Sequence, residues 1–254
     1  MSKMQAAIRR PQDLFPSTLF SVEAGASNGD EALLHPLERA LVERAVSKRR
    51  HEFAAGRVYA HRALTRLQVA PGPILSDRHG CPLWPSGTLG SISHTEGCAI
   101  SVAATSGRVT AVGVDVDRRS NAFSHSVLRH VCREEELRWI SGLPGMLVPM
   151  YGLLLFSIKE AIYKCVYAAT GERLGFGDAS VVLDLSQGLF SARLLREVGE
   201  EGRDRLVGRV GCNEDYVFSG LWWPSSGPSA FPHSPLRHSD VLRNATAHER
   251  RLRP

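Results

Sequence analysis

A helical pattern followed by strand patterns occurs twice along this chain, and that repetition limits the possible folds more than any single motif. Segment 35–67 has apolar residues at helical spacing and predicts one long helix or two consecutive ones; the strand patterns "CAISVAAT" and "RVTAVGVDVD", joined by a Ser-Gly turn, come later. The second cycle has helical patterns in "VLRHVCREEELRWI" and "FSIKEAIYKCVYAA", then two predicted hairpins, "ASVVLDLSQGLFSARLL" and "RLVGRVGCNEDYVFSGLWW". This order predicts an α+β protein of two pseudo-symmetric α/β halves, each combining helix with antiparallel strands.

The two predicted halves meet near residue 112. We therefore expect an N-terminal half over 1–111 and a C-terminal half over 112–223. Beyond residue 223 the sequence is rich in Pro, Ser, His and Arg and poor in residues that could form a core. Segment 224–254 is predicted to be a flexible tail.

The charge of the chain favours an acidic or phosphorylated partner. The 254 residues carry a formal net charge of +5, and 43% of them are hydrophobic, enough for a sizeable core. Segment 48–66 holds six Lys and Arg side chains against one acid, Glu52. So mild an excess does not require nucleic acid as the partner.

Cysteine usage and hydropathy indicate a reducing, aqueous location. The five cysteines are scattered without a close pair, which suggests neither a disulfide framework nor a zinc site. The most apolar run, "MLVPMYGLLLF", is short and contains Pro149 and Gly152. We expect a cytoplasmic protein with no signal peptide and no membrane span.

Two carboxylates lie close together in "GVDVD". Asp115 and Asp117 are two residues apart on a predicted strand, so both project from the same face, opposite Val114 and Val116. Such a pair suits Mg²⁺, which prefers carboxylate oxygens and leaves room for substrate phosphates. The alternative is a solvated strand end, and a short acidic pair taken alone favours that alternative.

The stretch "FSIKEAIYK" adds an acid and two lysines on a predicted helix. Ile158, Ala161, Ile162, Cys165 and Ala169 follow the i, i+3, i+4, i+7 pattern of a core-facing stripe. Lys159, Glu160, Tyr163 and Lys164 are then predicted to share the opposite side. Taken alone, Glu160 and Lys164 could be a surface ion pair of about 0.3–0.5 kcal/mol.

A histidine ends the predicted strand "GSISHT". A lone histidine such as His94 is more often structural than functional. Here it should lie beside "GVDVD", and the basic helix precedes it. Arginines, a histidine, strand carboxylates and a helical Glu/Lys pair together suit the binding of a polyanion with a metal.

The order and wording of these motifs resemble one family, the Sfp-type 4′-phosphopantetheinyl transferases, especially the branch that includes the enterobactin-synthase enzyme. The matching text is "KRRHEFAAGR", "CPLWPSGTLGSISHT", "GVDVD" and "FSIKEAIYK", within residues 45–185. The resemblance implies transfer of the 4′-phosphopantetheine arm of coenzyme A to a serine of an apo acyl or peptidyl carrier protein. Adenosine 3′,5′-bisphosphate would be released.

The resemblance also implies the catalytic roles. Asp115, Asp117 and Glu160 would hold Mg²⁺ against the coenzyme A pyrophosphate, and many relatives have glutamate where this chain has Asp117. Glu160 would be the base for the carrier serine, directly or through water. Lys164 would contact the phosphates and stabilise or protonate the leaving bisphosphate.

The remaining implied contacts concern the adenosine bisphosphate end of coenzyme A. Arg49 and Arg57 match the positions that grip the adenosine bisphosphate end, and His94 would contact the 3′-phosphate. The supporting contacts would come from Lys159, Ser93, Gly90 and the basic residue before "GCP", which is either His79 or Arg78.

The expected arrangement is a monomer that binds coenzyme A in the cleft between the halves. The carrier would dock through its own acidic helix, and fatty-acid, polyketide, nonribosomal-peptide and siderophore pathways all remain open. One alternative is a Mg²⁺-dependent nuclease, although its usual acid and lysine share a strand. The other is a nucleic-acid-binding module, which leaves Asp115, Asp117 and Glu160 unexplained.

Overall fold

The structure is a computed structural model that describes residues 7–120, 125–199 and 205–225. The elements of the N-terminal part are, in chain order, β1 (Ser21–Gly25), α1 (Pro36–Val42), α2 (Ser47–Arg66), β2 (Leu75–Ser76), β3 (Pro82–Leu83), β4 (Thr88–Thr95) and β5 (Cys98–Thr105). The strands β1, β5 and β4 form an antiparallel sheet in that order, and α2 packs on it. A separate small hairpin joins β2 to β3.

The C-terminal part is a larger sheet covered by one long helix. Its elements are β6 (Val109–Arg118), α3 (His125–Val131), α4 (Glu134–Ser141), α5 (Val148–Thr170), β7 (Ala179–Asp184), β8 (Leu189–Leu194), β9 (Arg205–Cys212) and β10 (Tyr216–Pro224). The antiparallel strand order is β6-β10-β9-β8-β7, and α5 packs across β6 and β10. The predicted α+β class is confirmed.

The predicted elements are present with one difference in pairing. Segment 35–67 forms two consecutive helices, and the predicted hairpins are β7–β8 and β9–β10. The turn at Ser106 and Gly107 joins β5 to β6, but these two strands pair in different sheets. Residue 112 therefore lies inside β6, and the division into pseudo-symmetric halves at that point stays a prediction. Pro224, the first residue of the predicted tail, still belongs to β10, and from residue 226 onward the predicted tail lies outside the described residues.

The ends of α1 and α5 follow from local chemistry. At the start of α1, His35 Nδ1 accepts a hydrogen bond from the Leu37 amide, and Glu38 Oε2 accepts one from the His35 amide. Pro149 lies in the first turn of α5, where its missing N–H costs nothing. The helix ends at Gly171, whose φ of 74° is the left-handed conformation that closes helices.

The buried face of α5 agrees with the sequence pattern. Ile158, Ala161, Ile162 and Cys165 are all fully buried against the larger sheet. Leu153, Leu154 and Leu155 continue this core toward the start of the helix. Within the described residues, no helix combines the length and the apolar character that crossing a membrane requires.

Candidate active site

Strand β6 places apolar and acidic residues on opposite faces, as predicted. Val112, Val114 and Val116 pack into a cluster with the smaller sheet, while Asp115 lies against α5. The approach of the strand to the helix depends on Gly113, because a Cβ there would fall 1.9 Å from the Ala161 carbonyl oxygen. The missing side chain therefore lets α5 bring its polar residues down to Asp115.

Asp115 is buried, and its two oxygens have different surroundings. Oδ1 accepts hydrogen bonds from Lys164 Nζ at 2.7 Å and from Ser93 Oγ at 2.8 Å. Oδ2 is also buried, but it has no hydrogen-bond partner among the described residues. A buried carboxylate oxygen without a partner is costly, so the site favours a cationic ligand at this atom.

Glu160 faces the same group of charges. Burial raises the pKa of Glu160, the nearby Asp115 and Asp117 carboxylates raise it further, and Lys164 opposes them. Glu160 is thus electrostatically coupled to the other two predicted metal ligands and to Lys164. As they stand, no three His, Cys, Asp or Glu side chains of the described ranges form a ready metal-binding group.

Asp117 is held at the far end of β6. Its Oδ1 accepts hydrogen bonds from Thr95 Oγ1 at 3.2 Å and from the Arg118 amide at 2.7 Å. These two donors fix the carboxylate near the end of β4. Its placement is less buried than that of Asp115.

His94 and Arg49 contact each other across β4 and α2. Arg49 Nη1 lies in hydrogen-bond contact with His94 Nε2, and His94 Nδ1 is 3.6 Å from Glu52 Oε2. Burial lowers the pKa of His94, and the adjacent Arg49 lowers it further. A neutral imidazole therefore accepts from the guanidinium through Nε2, which assigns its proton to Nδ1.

Arg57 is a buried structural anchor and not an exposed cation. Its Nε donates to the Ile74 carbonyl at 2.8 Å, and its Nη2 donates to Ser76 Oγ at 3.0 Å. Burial lowers the pKa of Arg57 to about 10. The side chain is 4% exposed, and these contacts tie α2 to the start of the β2–β3 hairpin.

The prediction that Lys159 shares a face with Glu160 and Lys164 is wrong. Lys159 is fully buried, and its Nζ donates to Glu136 Oε2 at 2.7 Å and to the carbonyls of Val131 and Phe176. Three acceptors satisfy the ammonium group on the side of α5 that faces α3 and α4. Lys159 is therefore not placed to contact a phosphate.

The Ser93 hydroxyl also has another role than the expected phosphate contact. It donates to Asp115 Oδ1 and accepts from the Val116 amide at 3.3 Å. Gly90 packs closely against the Trp84 ring, which a side chain at residue 90 would overlap. At the hairpin tip, Arg78 and His79 are both exposed, and Arg78 Nε donates to His79 Nε2 at 3.0 Å.

Comparisons with known proteins show which family the chain belongs to. Residues 37–104 match the 4′-phosphopantetheinyl transferase N-terminal domain, and residues 111–207 match the 4′-phosphopantetheinyl transferase superfamily. The 4′-phosphopantetheinyl transferase Svp of Streptomyces mobaraensis is 36% identical over 214 residues, which cover 82% of this chain and 87% of that protein. The chain belongs to the 4′-phosphopantetheinyl transferase superfamily. The predicted family and enzyme class are therefore confirmed.

Two further relatives show the breadth of the family. The 4′-phosphopantetheinyl transferase PptT of Mycobacterium tuberculosis is 34% identical over 190 residues, 72% of this chain and 82% of that protein. Enterobactin synthase component D of Salmonella typhi is 33% identical over 117 residues, 46% of this chain and 48% of that protein. Members of the family transfer phosphopantetheine from coenzyme A to carrier proteins.

Sequence reasoning missed the hydroxyl row of β4, although a signal was present. Ser91, Ser93 and Thr95 alternate along the strand, so one face carries all three hydroxyls. Ser91 Oγ accepts from the Val114 amide, and the other two contact the acids of "GVDVD". Hydroxyl residues at every second position of one strand, followed by a strand with acids at every second position, predict such hydrogen bonds between the two strands. We call these contacts of Ser91, Ser93 and Thr95 with β6 the hydroxyl seam.

Proposed function

We propose that this member of the family transfers the 4′-phosphopantetheine arm of coenzyme A to a carrier-protein serine in a Mg²⁺-dependent reaction. The proposed Mg²⁺ dependence rests on the surroundings of Asp115. One of its oxygens is held by Lys164 and Ser93, and the other is buried without a partner beside Glu160. No observation on the described residues favours the nuclease or the nucleic-acid-binding alternative over this reaction.

The donor set fits magnesium. Mg²⁺ prefers oxygen ligands from carboxylates, and Asp115 Oδ2 offers one that no other described residue satisfies. Asp115 and Glu160 would hold the ion, with Asp117 as the third acid of the set. When bound, the ion would neutralise charge on the pyrophosphate as the phosphoanhydride bond breaks.

Glu160 is the base of the proposed reaction. Its raised pKa brings the carboxylate closer to the range in which a carboxylate can accept a proton from a hydroxyl or a water. The serine proton would pass to Glu160 either directly or through one water. The helix α5 holds this group rigidly, because the residues on either side of it along the helix are buried.

Lys164 has two tasks in this proposal. In the free protein it compensates Asp115 at 2.7 Å and also donates to the Val114 carbonyl at 3.2 Å. An ammonium with three donors can keep such contacts and still reach a phosphate. It would stabilise or protonate the leaving adenosine 3′,5′-bisphosphate.

The adenosine bisphosphate end of coenzyme A, with its 3′-phosphate, is assigned to α2, β4 and the hairpin tip. Arg49 and His94 lie together near Lys164, whose charge also lowers the pKa of His94. Arg49 is exposed and provides a guanidinium group that can donate two hydrogen bonds to one phosphate. Arg57 anchors the start of the β2–β3 hairpin. Arg78 and His79 complete the basic surroundings at the tip.

The proposed partner is an apo acyl or peptidyl carrier protein in the cytoplasm, bound by a monomer of this chain. The carrier's acidic helix would be steered by the basic residues around the cleft.

The decisive experiment is a mass-spectrometric panel. The protein is incubated with coenzyme A, Mg²⁺ and apo carriers from fatty-acid, polyketide and nonribosomal-peptide systems. We expect at least one carrier to gain the mass of one phosphopantetheine arm, and the gain should disappear with a chelator or with a Ser→Ala carrier. Failure of every carrier, while a known transferase modifies them all, would refute the proposal.

A further inference from the structure

The β2–β3 hairpin is attached to both long helices. At its base, Arg57 of α2 donates to the Ile74 carbonyl at 2.8 Å and to Ser76 Oγ at 3.0 Å. At its tip, Tyr167 Oη of α5 donates to Asp77 Oδ2 at 2.6 Å. The hairpin thus connects the helix that carries Arg49 with the helix that carries Glu160 and Lys164.

Asp77 uses its two oxygens for two different purposes. Oδ1 accepts from the amides of His79 at 2.8 Å and Cys81 at 2.9 Å, which shapes the turn 77–81. Oδ2 accepts only the Tyr167 hydroxyl among the described contacts. One carboxylate therefore fixes the form of the turn and, through Tyr167, its position against α5.

The turn carries exposed basic side chains. Arg78 and His79 lie at the tip, and the His79 ring meets the edge of Tyr167 with centroids 5.8 Å apart. Tyr167 follows Lys164 by three residues on α5, so the two side chains lie on neighbouring turns of one face. The basic tip is consequently held near the proposed phosphate-binding lysine.

We propose that the hydrogen bond between Tyr167 and Asp77 is a positioning contact for coenzyme A, because it sets the turn 77–81 so that Arg78 and His79 meet the substrate phosphates. This inference rests on the proposed function, since it takes coenzyme A as the ligand. Tyr167 and Asp77 touch neither the reacting phosphate nor the carrier serine. They act through the basic tip.

A purely structural role for the contact is disfavoured by its surroundings. The base of the hairpin is already held by the β2–β3 pairing and by the buried Arg57. Tyr167 and Asp77 are only half-buried, so the loss of one hydroxyl should cost the fold little. The hydrogen bond from Tyr167 lowers the pKa of Asp77, a carboxylate that is already charged at neutral pH, so the contact is present there.

The test compares Tyr167→Phe with the unchanged protein. The variant removes the hydroxyl and keeps the ring against His79. We expect Kd and KM for coenzyme A to rise roughly three- to tenfold while kcat at saturating coenzyme A stays unchanged. The matched control is Tyr59→Phe, which removes a phenol hydrogen bond of 3.0 Å to the Ala26 carbonyl and should leave Kd unchanged.

A double-mutant cycle tests whether Tyr167 acts through the tip. If it does, Tyr167→Phe should weaken coenzyme A binding much less when Arg78 is already alanine. Additive losses, or a Tyr167→Phe variant that binds coenzyme A like the unchanged protein, would overturn the inference. A fall in kcat with unchanged Kd would overturn it as well.

Calorimetric binding of coenzyme A without any carrier separates this inference from the proposed function. If the unchanged protein binds coenzyme A but modifies no carrier, and Tyr167→Phe weakens that binding, the proposed function fails and the positioning contact stands. If the protein modifies a carrier and Tyr167→Phe has no effect on binding, the positioning contact fails alone. No coenzyme A binding at all would refute both.

Discussion

At the scale of single residues, the two lysines of "FSIKEAIYK" have unlike environments. Lys159 Nζ lies fully buried against Glu136, whereas the Lys164 side chain is 30% exposed and its Nζ lies 2.7 Å from Asp115 Oδ1. Their spacing of five residues puts them on different sides of α5. Lys159 thus belongs to the core, and the proposed chemical role stays with Lys164.

Removing Lys159 should therefore damage the fold. Lys159→Met leaves Glu136 as a buried charge without its cation, and we expect the free energy of unfolding to fall by about 3–5 kcal/mol. Urea denaturation followed by circular dichroism measures this loss. Lys48→Met, at an exposed position, is the control and should change stability by less than about 0.5 kcal/mol. Equal stability of the two variants would contradict the assigned role of Lys159.

Glu160 should make stability depend on pH in a defined direction. Its pKa is raised by burial above 4.5, so the folded protein holds this proton more tightly than the unfolded chain does. The free energy of unfolding attributable to Glu160 therefore falls as pH rises from 4.5 through the folded-state pKa. Glu160→Gln escapes this loss, and its advantage over the unchanged protein should grow across that window in the presence of a chelator.

Thermal unfolding across the pH range measures the Glu160 effect. Adding Mg²⁺ should raise the melting temperature of the unchanged protein more than that of Glu160→Gln, because the variant lacks a carboxylate for the ion. Glu197→Gln changes an exposed acid and should follow the unchanged protein throughout. A Glu160→Gln advantage that shrinks with rising pH would show that the sign is wrong.

At the scale of elements, the contact between β6 and α5 depends on one glycine. Gly113→Ala would push its Cβ to within 1.9 Å of the Ala161 carbonyl oxygen, so strand and helix must separate. We expect a loss of about 2 kcal/mol or more in the free energy of unfolding. Transfer should also weaken, since Lys164 is drawn away from Asp115. Gly145→Ala meets nothing within 4 Å and is the matched control.

A second prediction at this scale concerns the hydroxyls of β4. Ser91→Ala and Ser93→Ala each remove the acceptor of a buried β6 amide, so each should lower the free energy of unfolding by about 1–3 kcal/mol. Only Ser93→Ala also removes a donor from Asp115. At a temperature where both variants are folded, Ser93→Ala should transfer more slowly than Ser91→Ala. Equal rates would argue against a positioning role for Ser93.

At the scale of the whole molecule, the sequence predicted local features better than contacts between distant residues. The apolar spacing of α5 gave its buried face, and the alternation in "GVDVD" gave the opposite faces of β6. The burial of Lys159 depends on Glu136 in another helix, and the position of the hairpin tip depends on Asp77 and Tyr167, which lie far apart in sequence. No periodicity encodes such pairs, because each depends on how separate elements pack.

The pairing of the sheets belongs to the same scale. The turn between β5 and β6 was expected, yet the two strands enter different sheets. The sheets meet where β4 lies beside β6, with side-chain hydroxyls contacting the amides and acids of β6. The spacing of the hydroxyl residues in β4 does not determine which strand lies beside it, because the pattern of one strand does not specify its neighbour.

The exposed turn at residues 105–108 allows the contact between the two sheets to be tested by cutting the chain. A cut there would leave one fragment with Arg49 and His94 and another with Asp115, Glu160 and Lys164. Neither fragment holds both the groups proposed for the 3′-phosphate and the groups proposed for the metal. Activity regained on mixing the two purified fragments would therefore measure how strongly the hydroxyl seam and the Tyr167 contact hold the molecule together without a covalent link.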